Sequence, residues 1–289
     1  MSEPRLSGAP AVTTLRCDAR PVAGYHHVPP PLPGALAPRP YLHPVRTFGG
    51  VTVTEVLPPD HTHHLGVSVA VPDVSGVNFW GGRTYVRDQG PVALDNHGAQ
   101  EHTGWLLRDP DGCVQELSWV REGRELLKER RTISVLALNS RAWALDFTSA
   151  LTNVSGGGLS FGSPATNGRP GAGYGGFFWR APKEEAGRSE VFTEEASGED
   201  AVHGTTAPWL ALAGRRWTLV FAGANEETRR DPWFVRTGGY PGVGSALAWA
   251  RRLPLAAGAS LARRVVTVVA DGRLARPDAA ALARQAVAA

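Results

Sequence analysis

Short runs of alternating apolar and polar residues, separated by turn residues, dominate the chain from Tyr41 onward. Residues 51–56 read Val-Thr-Val-Thr-Glu-Val, which has the two-residue period of a half-buried strand. Further runs of β type occur at residues 65–71, 113–120, 131–138, 143–151, 217–221 and 261–269. The two runs at 131–138 and 143–151 are long enough for central strands of a large sheet.

Turn signals separate these runs. Residues 58–60 are Pro-Pro-Asp, residues 109–112 are Asp-Pro-Asp-Gly, and residues 271–272 are Asp-Gly. Because Pro and Gly supply the backbone angles of tight turns, Asp-Pro-Asp-Gly between two apolar runs predicts a β-hairpin. Only the C-terminus has a helical pattern, from Pro277 and Asp278 to Ala289.

Many strands and almost no helix predict an all-β fold, a large antiparallel β-sandwich of the supersandwich kind. Residues 41–289 are expected to form this single domain, with a short C-terminal helix. Residues 1–40 are rich in proline and are predicted to be an arm or edge segment packed on the body.

Composition narrows the functional classes. The 289 residues are 42% hydrophobic and 20% charged, which is typical of a globular protein. The two cysteines, Cys17 and Cys113, are too few for a disulfide framework, and they do not have the paired spacing of a zinc ribbon. With no signal-peptide pattern and no apolar run long enough for a membrane helix, a soluble cytoplasmic protein is expected, with no membrane partner.

Charge argues against a nucleic-acid partner. The pI is about 9.1, yet the net charge is only +3. The arginines are scattered among acidic residues, whereas a nucleic-acid surface needs them clustered on one face. A small-molecule ligand is therefore favoured, and the oligomeric state is left open.

Three histidines in four residues mark the first candidate site, at His61, His63 and His64. In an extended chain His61 and His63 share one face and His64 points to the other. Such a pair can bind a metal, or can supply an acid or base together with a hydroxyl ligand. The alternative to a functional site is that these are partly buried histidines at a strand end, with their ring nitrogens hydrogen-bonded to the protein.

A second polar group follows at residues 95–102, where His97 and Glu101 are candidate catalytic partners. A loop rich in His, Asp and Glu beside a rigid sheet is a common position for catalytic groups, although a solvated loop is an equal alternative.

Aromatic and guanidinium groups predict the ligand-binding residues. In the segment 76–85, the ring of Trp80 suits stacking on a sugar, and polar groups nearby suit its hydroxyls. A structural role is favoured for Phe79. The predicted substrate-binding set is Arg46, Asn78, Trp80, Arg83, Tyr85, Arg169, Tyr174 and Trp233.

The glycine-rich tract from Gly156 to Gly176 contains a G-x-G-x-x-G match at residues 171–176. A dinucleotide site needs a preceding strand and a following helix, but residues 177–180 have the pattern of a strand. A mobile loop that closes over a ligand, carrying Arg169 and Tyr174, is the better interpretation.

Five segments together resemble the bacterial PmoA family, at residues 39–45, 60–66, 76–80, 168–176 and 232–234. The resemblance spans residues 39 to 255, although Leu65 stands where the family commonly has arginine in His-His-Arg-Gly. It implies a soluble β-sandwich related to aldose-epimerase supersandwiches and a place in sugar catabolism. It does not imply the membrane subunit of methane monooxygenase, which needs several spanning helices that this chain lacks.

The favoured function is a carbohydrate-active enzyme that uses His63 or His64 for acid/base chemistry, with His97 or Glu101 as partner. Epimerase, lyase and hydrolase activities all fit these groups, and no cofactor is expected. The alternative is a zinc or iron enzyme with His61 and His63 as ligands, completed by His97 or His43. A non-catalytic carbohydrate-binding protein is the third hypothesis; a protein-binding scaffold has no specific support.

Overall fold

A computed structural model describes residues 11–183 and 189–289. The strands, numbered in chain order, are β1 (Ala11–Cys17), β2 (Arg20–Val28), β3 (Tyr41–Val45), β4 (Val67–Ala70), β5 (Asp73–Val74), β6 (Thr84–Val86), β7 (Gly90–Val92), β8 (Ala99–Asp109), β9 (Gly112–Arg121), β10 (Arg124–Asn139), β11 (Ala142–Asn153), β12 (Leu159–Gly162), β13 (Gly176–Arg180), β14 (Glu190–Phe192), β15 (Trp209–Ala213), β16 (Trp217–Gly223), β17 (Trp233–Arg236), β18 (Gly242–Ser245), β19 (Leu253–Leu255) and β20 (Ser260–Asp271). The α-helices are α1 (Glu199–Val202), α2 (Glu226–Arg229) and α3 (Arg276–Ala288), and Gly34–Leu36 forms a short 3-10 turn.

Two large antiparallel sheets form the body. One has seven strands in the order β1-β2-β3-β4-β13-β18-β17, and the other has eight in the order β14-β15-β16-β20-β11-β10-β9-β8. Two small sheets, β19-β12-β5 and β6-β7, lie outside them. The predicted all-β antiparallel sandwich with a short C-terminal helix is confirmed.

The main core lies between the two large sheets. Alternation along β13 directs Phe177 and Trp179 inward, where they meet residues of the eight-stranded sheet. The ring of Phe177 lies 5.4 Å from Phe147, and the ring of Trp179 lies 5.6 Å from Phe221. Because alternate residues of β13 point into this core, the residues between them face outward.

Helix α3 covers part of the outer face of the eight-stranded sheet. Its buried Ala279, Ala283 and Ala286 pack against small residues of the sheet such as Ala144 and Ala222. Alanines on both surfaces allow the helix to lie close to the strands. The opposite outer face, on the seven-stranded sheet, carries the polar groups described below.

The structure departs from the sequence pattern in two places. Residues 51–56 form only isolated bridges, Arg46 with Thr52 and Val56 with Leu65, and not the predicted strand. The predicted arm, residues 1–40, contains β1 and β2, which pair at the edge of the seven-stranded sheet. Residues 1–10 of that arm lie outside the described residues, and the division into arm and domain stays a prediction.

Within the described residues, no helix has both the length and the apolar character that crossing a bilayer requires. The predicted cytoplasmic location stays a prediction.

Candidate functional site

A cluster of rings covers the outer face of the seven-stranded sheet. We call this surface the aromatic face; its members are Trp80, Tyr174, Phe178, Phe234, Tyr240 and Trp249. Neighbouring rings are in contact: the centre of Trp80 lies 4.6 Å from Tyr174 and 4.9 Å from Phe178, and Tyr174 lies 5.3 Å from Phe234. The rings therefore form one continuous cluster, in which Trp80, Phe178 and Phe234 are buried and Tyr174, Tyr240 and Trp249 are partly exposed.

Glycines in β18 make room for these rings. Phe178 on β13 and Phe234 on β17 both pair with Gly244 on the strand between them. A Cβ atom at Gly242 would lie only 3.1 Å from the ring of Phe178. The two phenylalanines thus spread over a strand that carries no side chains on this face.

The histidine turn, residues 58–64, lies beside the aromatic face. The amide of His61 donates to the carbonyl of Pro58, and the amide of His64 donates to that of His61, both at 2.9 Å. The prediction that His64 points away from His61 and His63 is wrong, because two successive turns replace the extended strand. Their ring centres lie 4.7 to 5.8 Å apart.

His64 is the buried member of the histidine turn. Its ring lies 5.0 Å from both Phe178 and Tyr240. Burial, reinforced first by His63, holds its pKa far below the ordinary value. Burial also lowers the pKa of His63 to about 3, with a further contribution from the charge of Arg39. Both imidazoles are therefore neutral at physiological pH, and neither is a ready proton donor.

His61 is placed differently, because its side chain is 34% exposed and has a carboxylate partner. Its Nδ1 lies 3.0 Å from Oδ2 of Asp60, and its ring centre lies 4.5 Å from that of Tyr240. With Nδ1–H donating to the carboxylate, Nε2 of His61 is left as a proton acceptor.

Asp60 is held as a carboxylate. Burial works against its ionisation, but the hydrogen bond from His61 and the charges of Arg180 and Lys183 outweigh it and lower the pKa to about 2. Oδ1 lies 3.4 Å from Nη2 of Arg180, and Oδ2 lies 3.2 Å from Nζ of Lys183. The Asp60–His61 pair thus has the geometry of an oriented general base.

Arg39 ties the histidine turn to the Trp80 loop. This side chain is 1% exposed and donates to the carbonyls of His63 (2.9 Å) and Trp80 (3.1 Å) and to Oγ of Ser68 (3.1 Å). Burial lowers its pKa to about 9. Because these bonds fix two segments distant in sequence, Arg39 positions the site.

The glycine-rich tract places the ring of Tyr174 4.6 Å from that of Trp80, and ligand binding by the two residues stays a prediction. Its turn is anchored where the carbonyl of Gly171 accepts from Nε2 of His203 at 2.8 Å. Trp249 packs against two glycines of neighbouring segments, since a Cβ at Gly173 or Gly204 would lie 2.5 or 2.6 Å from its ring.

Two residues predicted to contact a ligand, Asn78 and Trp233, are surrounded by the protein itself. Asn78 is buried, and its Oδ1 accepts the amides of Trp80 and Gly81 at 2.8 and 2.9 Å, so it shapes the loop. Trp233 faces the inner core, and its Nε1 donates to the carbonyl of Ala207. Trp80, the predicted stacking ring, is 4% exposed and forms a floor beneath Tyr174.

Other predicted residues lie at the border of the site or away from it. Nε2 of His97 bonds to the carbonyl of Gly82 at 2.7 Å, behind His63. Arg83 is exposed, and Tyr85 is half-buried in the small β6-β7 sheet.

Glu101 and Arg46 are separated from the aromatic face. Glu101 is exposed on β8 of the eight-stranded sheet, opposite Ser118. Arg46 is exposed after β3, and among the described residues it makes no hydrogen bond to the histidine turn. Glu101 lies on β8, whereas His63 lies in the histidine turn outside the sheets, and the pairing of these two groups stays a prediction.

The metal alternative lacks a ligand set in the described parts of the chain. Across residues 11–183 and 189–289, no three His, Cys, Asp or Glu side chains are grouped so that they could hold an ion. His61 and His63 do lie together, but His97 is engaged with Gly82. The use of a divalent metal stays a prediction.

Three residues of the site are not in the predicted binding set. Tyr240 belongs to the aromatic face, and Arg180 and Arg236 border it. The guanidinium carbon of Arg180 lies 4.8 Å from the Tyr240 ring, and that of Arg236 lies 4.7 Å from the Phe234 ring. Arg180 ends the strand Gly176–Arg180, and the two-residue period alone places it on the same side as Phe178. Which side faces solvent depends on the sheet packing.

We expect the neutral histidines to make the fold sensitive to acid. Burial lowers the pKa of His63 to about 3 and that of His27 to about 4, below the ordinary 6.5. Between these values only the unfolded chain binds the proton, so the free energy of unfolding falls as pH falls. Each group contributes about 1.4 kcal/mol per pH unit in that window.

Urea unfolding measured from pH 7.5 to 5 tests this slope. The variant His27→Asn should lose about 1.4 kcal/mol per pH unit of the wild-type slope below pH 6. Parallel wild-type and variant curves would show that His27 is not kept neutral by the fold.

A family model described as "Family of unknown function (DUF6807)" matches residues 12–284. The predicted resemblance to the PmoA family is corrected by this match, because the family found is DUF6807. No curated protein matches the chain.

Three solved structures are similar to part of the chain. A heparan sulfate lyase HepC mutant from Pedobacter heparinus is 11% identical at a TM-score of 0.33, with 63% of this chain and 24% of that chain covered. The heparinase III-BT4657 gene product with methylated lysines is 10% identical at 0.27, covering 63% and 23%. The same gene product without that label is 11% identical at 0.24, covering 62% and 23%. The chain spans about a quarter of the length of these proteins, and likenesses this weak carry no weight for function.

Proposed function

The chain belongs to the DUF6807 family, a family of unknown function, and we propose that it binds a carbohydrate at the aromatic face and acts on it by proton transfer through His61. One observation carries the proposal: the Asp60–His61 pair stands at the border of that face, with the imidazole against Tyr240. A base oriented beside an aromatic binding surface is what such an enzyme requires.

Carbohydrate is the favoured ligand because flat rings and fixed polar groups alternate on this surface. Tyr174 and Tyr240 are partly exposed rings, and each can lie against the apolar C–H side of a sugar. Arg236 packs over Phe234 with its guanidinium carbon 4.7 Å from the ring centre. Its guanidinium is held there by Glu199 and by the carbonyls of Val235 and Gly171, so it gives this border of the face a fixed positive charge.

Proton transfer is assigned to His61 because its neighbours in the turn are poor candidates. His63 and His64 are buried and neutral, whereas His61 is accessible and oriented by Asp60. The phenol of Tyr240, whose pKa is raised by burial, stays protonated and can donate a hydrogen bond to a sugar oxygen on the same side. These groups suit epimerisation, elimination and hydrolysis alike.

Binding without catalysis is the competing function. The burial of His63 and His64 beneath the rings favours it, because buried neutral imidazoles also serve as packing groups. The two functions differ in what the loss of His61 does. A binding protein keeps most of its affinity and has no turnover to lose, whereas an enzyme loses turnover.

We expect Tyr174→Ala to weaken sugar binding by about 2- to 13-fold, because loss of a stacked ring removes about 0.5–1.5 kcal/mol. Calorimetric titration with D-glucose, D-galactose, D-glucuronate and D-galacturonate measures this affinity. Tyr174→Phe keeps the ring and should keep the stacking contribution. Leu106→Ala, at an exposed position on the eight-stranded sheet, is the control. Equal affinities of Tyr174→Ala and wild type would contradict the assignment of this face.

A further inference from the structure

Positive groups outnumber negative groups around the aromatic face. The cationic side chains are Arg39, Arg169, Arg180, Lys183 and Arg236. The carboxylates are Glu55, Asp60 and Glu199. An anionic ligand would balance this surplus.

Each carboxylate already has partners. Oε2 of Glu55 accepts two hydrogen bonds from Arg180, at 3.0 and 2.8 Å. Asp60 is bound by His61, Arg180 and Lys183 as described above. Oε2 of Glu199 accepts from the amide and the hydroxyl of Thr237, at 2.6 and 3.0 Å. These acids are therefore engaged with the protein itself.

Arg169 differs from the other cations. It is exposed, and in the described parts of the chain its guanidinium makes no ion pair and no hydrogen bond. Its backbone is fixed, since its amide donates to the carbonyl of Pro164 at 2.9 Å and its carbonyl accepts from Ala172 at 3.2 Å. A charge held on an ordered turn beside the binding face is available to a ligand.

Arg236 approaches the same turn from the opposite side. Its Nη2 lies 3.4 Å from the carbonyl oxygen of Gly171, two residues after Arg169. The same carbonyl accepts from Nε2 of His203, whose ring centre lies 5.2 Å from that of Phe234 and 4.8 Å from that of Trp249, so this turn borders the aromatic face. Burial raises the pKa of Tyr174, and the charges of Arg169 and Arg236 oppose that shift. Among the described residues, the hydroxyls of Tyr174 and Tyr240 have no hydrogen-bond partner.

We propose that the bound carbohydrate is acidic, a uronate, and that Arg169 holds its carboxylate with the hydroxyls of Tyr174 and Tyr240 as further donors. This inference rests on the proposed function, because it specifies the ligand of the same face. The planar guanidinium forms two parallel hydrogen bonds to a carboxylate, which a neutral sugar cannot match. Protonated phenols add donors without adding charge.

Matched pairs of sugars test the proposal by calorimetric titration. D-galacturonate is compared with D-galactose, and D-glucuronate with D-glucose, at equal ionic strength. We expect at least one acid to bind tenfold or more tightly than its neutral counterpart. Arg169→Ala should abolish this preference and leave the neutral sugar unaffected, and Arg169→Lys should restore part of it. Arg215→Ala, an exposed arginine between β15 and β16, is the control.

The outcomes separate this inference from the proposed function. Equal binding of acid and neutral sugar overturns the carboxylate assignment and leaves a carbohydrate site in place. A preference that survives in Arg169→Ala also overturns it, since another group then holds the acid. Binding of none of the four sugars overturns both proposals. Thermal unfolding of each variant, expected to match wild type because Arg169 is exposed, confirms that the fold is retained.

Discussion

Replacing His61 by alanine is expected to lower the rate of the sugar-modifying reaction by about 10²- to 10⁴-fold, which is the usual contribution of a general acid or base. Sugar affinity should change by less than about tenfold, because the rings that would bind the sugar are untouched. The decrease in rate is expected in kcat, because the imidazole takes part in the proton-transfer step.

Asp60→Asn tests the same assignment through orientation. An amide can present N–H to Nδ1 of His61, and this favours the tautomer with the proton on Nε2. The general base is then lost although the ring remains, so we expect a slowing of about 10²- to 10⁴-fold, as for His61→Ala. Asp18→Asn makes the same chemical change in an exposed turn of the β1-β2 hairpin and is the control.

Proton NMR can follow the reaction whichever product forms. Each of the four sugars and its methyl glycoside is incubated with the protein in D₂O, since hydrolysis needs a glycosidic bond to break. The spectra record loss of C–H signals, the appearance of new ones or the release of methanol. If activity is retained in His61→Ala but lost in His97→Ala, the assignment to His61 is wrong and His97, which the sequence pattern favoured, transfers the proton. Sugar binding with no reaction in wild type would leave a binding protein.

The long strands were predictable because their periodicity is local. The runs at 113–120, 131–138 and 143–151 fall within β9, β10 and β11, and the Asp-Pro-Asp-Gly turn joins β8 to β9. Each such run carries its own two-residue alternation, and burial between two sheets preserves it. Residues 51–56 have the same alternation but only bridge their neighbours, because no strand is available to pair along their whole length.

The sequence pattern predicted that the histidines and Trp80 lie together, but not their geometry. The ring centre of Trp80 lies 6.5 Å from that of His63 and 5.8 Å from that of His64, and a functional role for these groups stays a prediction. The Pro-Pro-Asp turn extends into a second turn at His61–His64, which alternation along an extended chain cannot represent. The result transfers the candidate base from His63 or His64 to His61.

Residues that depend on sheet packing could not be assigned from sequence. Trp233 and Phe234 are adjacent aromatic residues, and only the side of the sheet that is buried decides which one faces a ligand. Asn78 was expected to contact a ligand, but its Oδ1 accepts hydrogen bonds from two backbone amides of the Trp80 loop. Arg39 gave no signal, because its partners are carbonyl groups of distant segments.

The buried ion pair between Glu129 and Arg131 should be the most sensitive point of the core. Both side chains are 0% exposed, and they share two hydrogen bonds of 2.8 Å. Arg131 also donates to the hydroxyl of Tyr25 and to Oε1 of Gln100, so one guanidinium links β10 to both β2 and the β8 edge. Glu129→Ala leaves this charge buried without a counter-ion and is expected to cost about 3–5 kcal/mol of unfolding free energy.

Urea unfolding at pH 7 measures this loss, with Glu226→Gln as the control. Glu226 forms an exposed ion pair with Arg230, with both side chains 72% exposed, so its loss should change the unfolding free energy by less than about 1 kcal/mol. The double variant Glu129→Leu with Arg131→Met should recover much of the stability, because it removes both charges and keeps apolar volume. A cost below about 1 kcal/mol for Glu129→Ala would mean that water or another acid reaches Arg131, and the two sheets would then be less tightly closed around this pair.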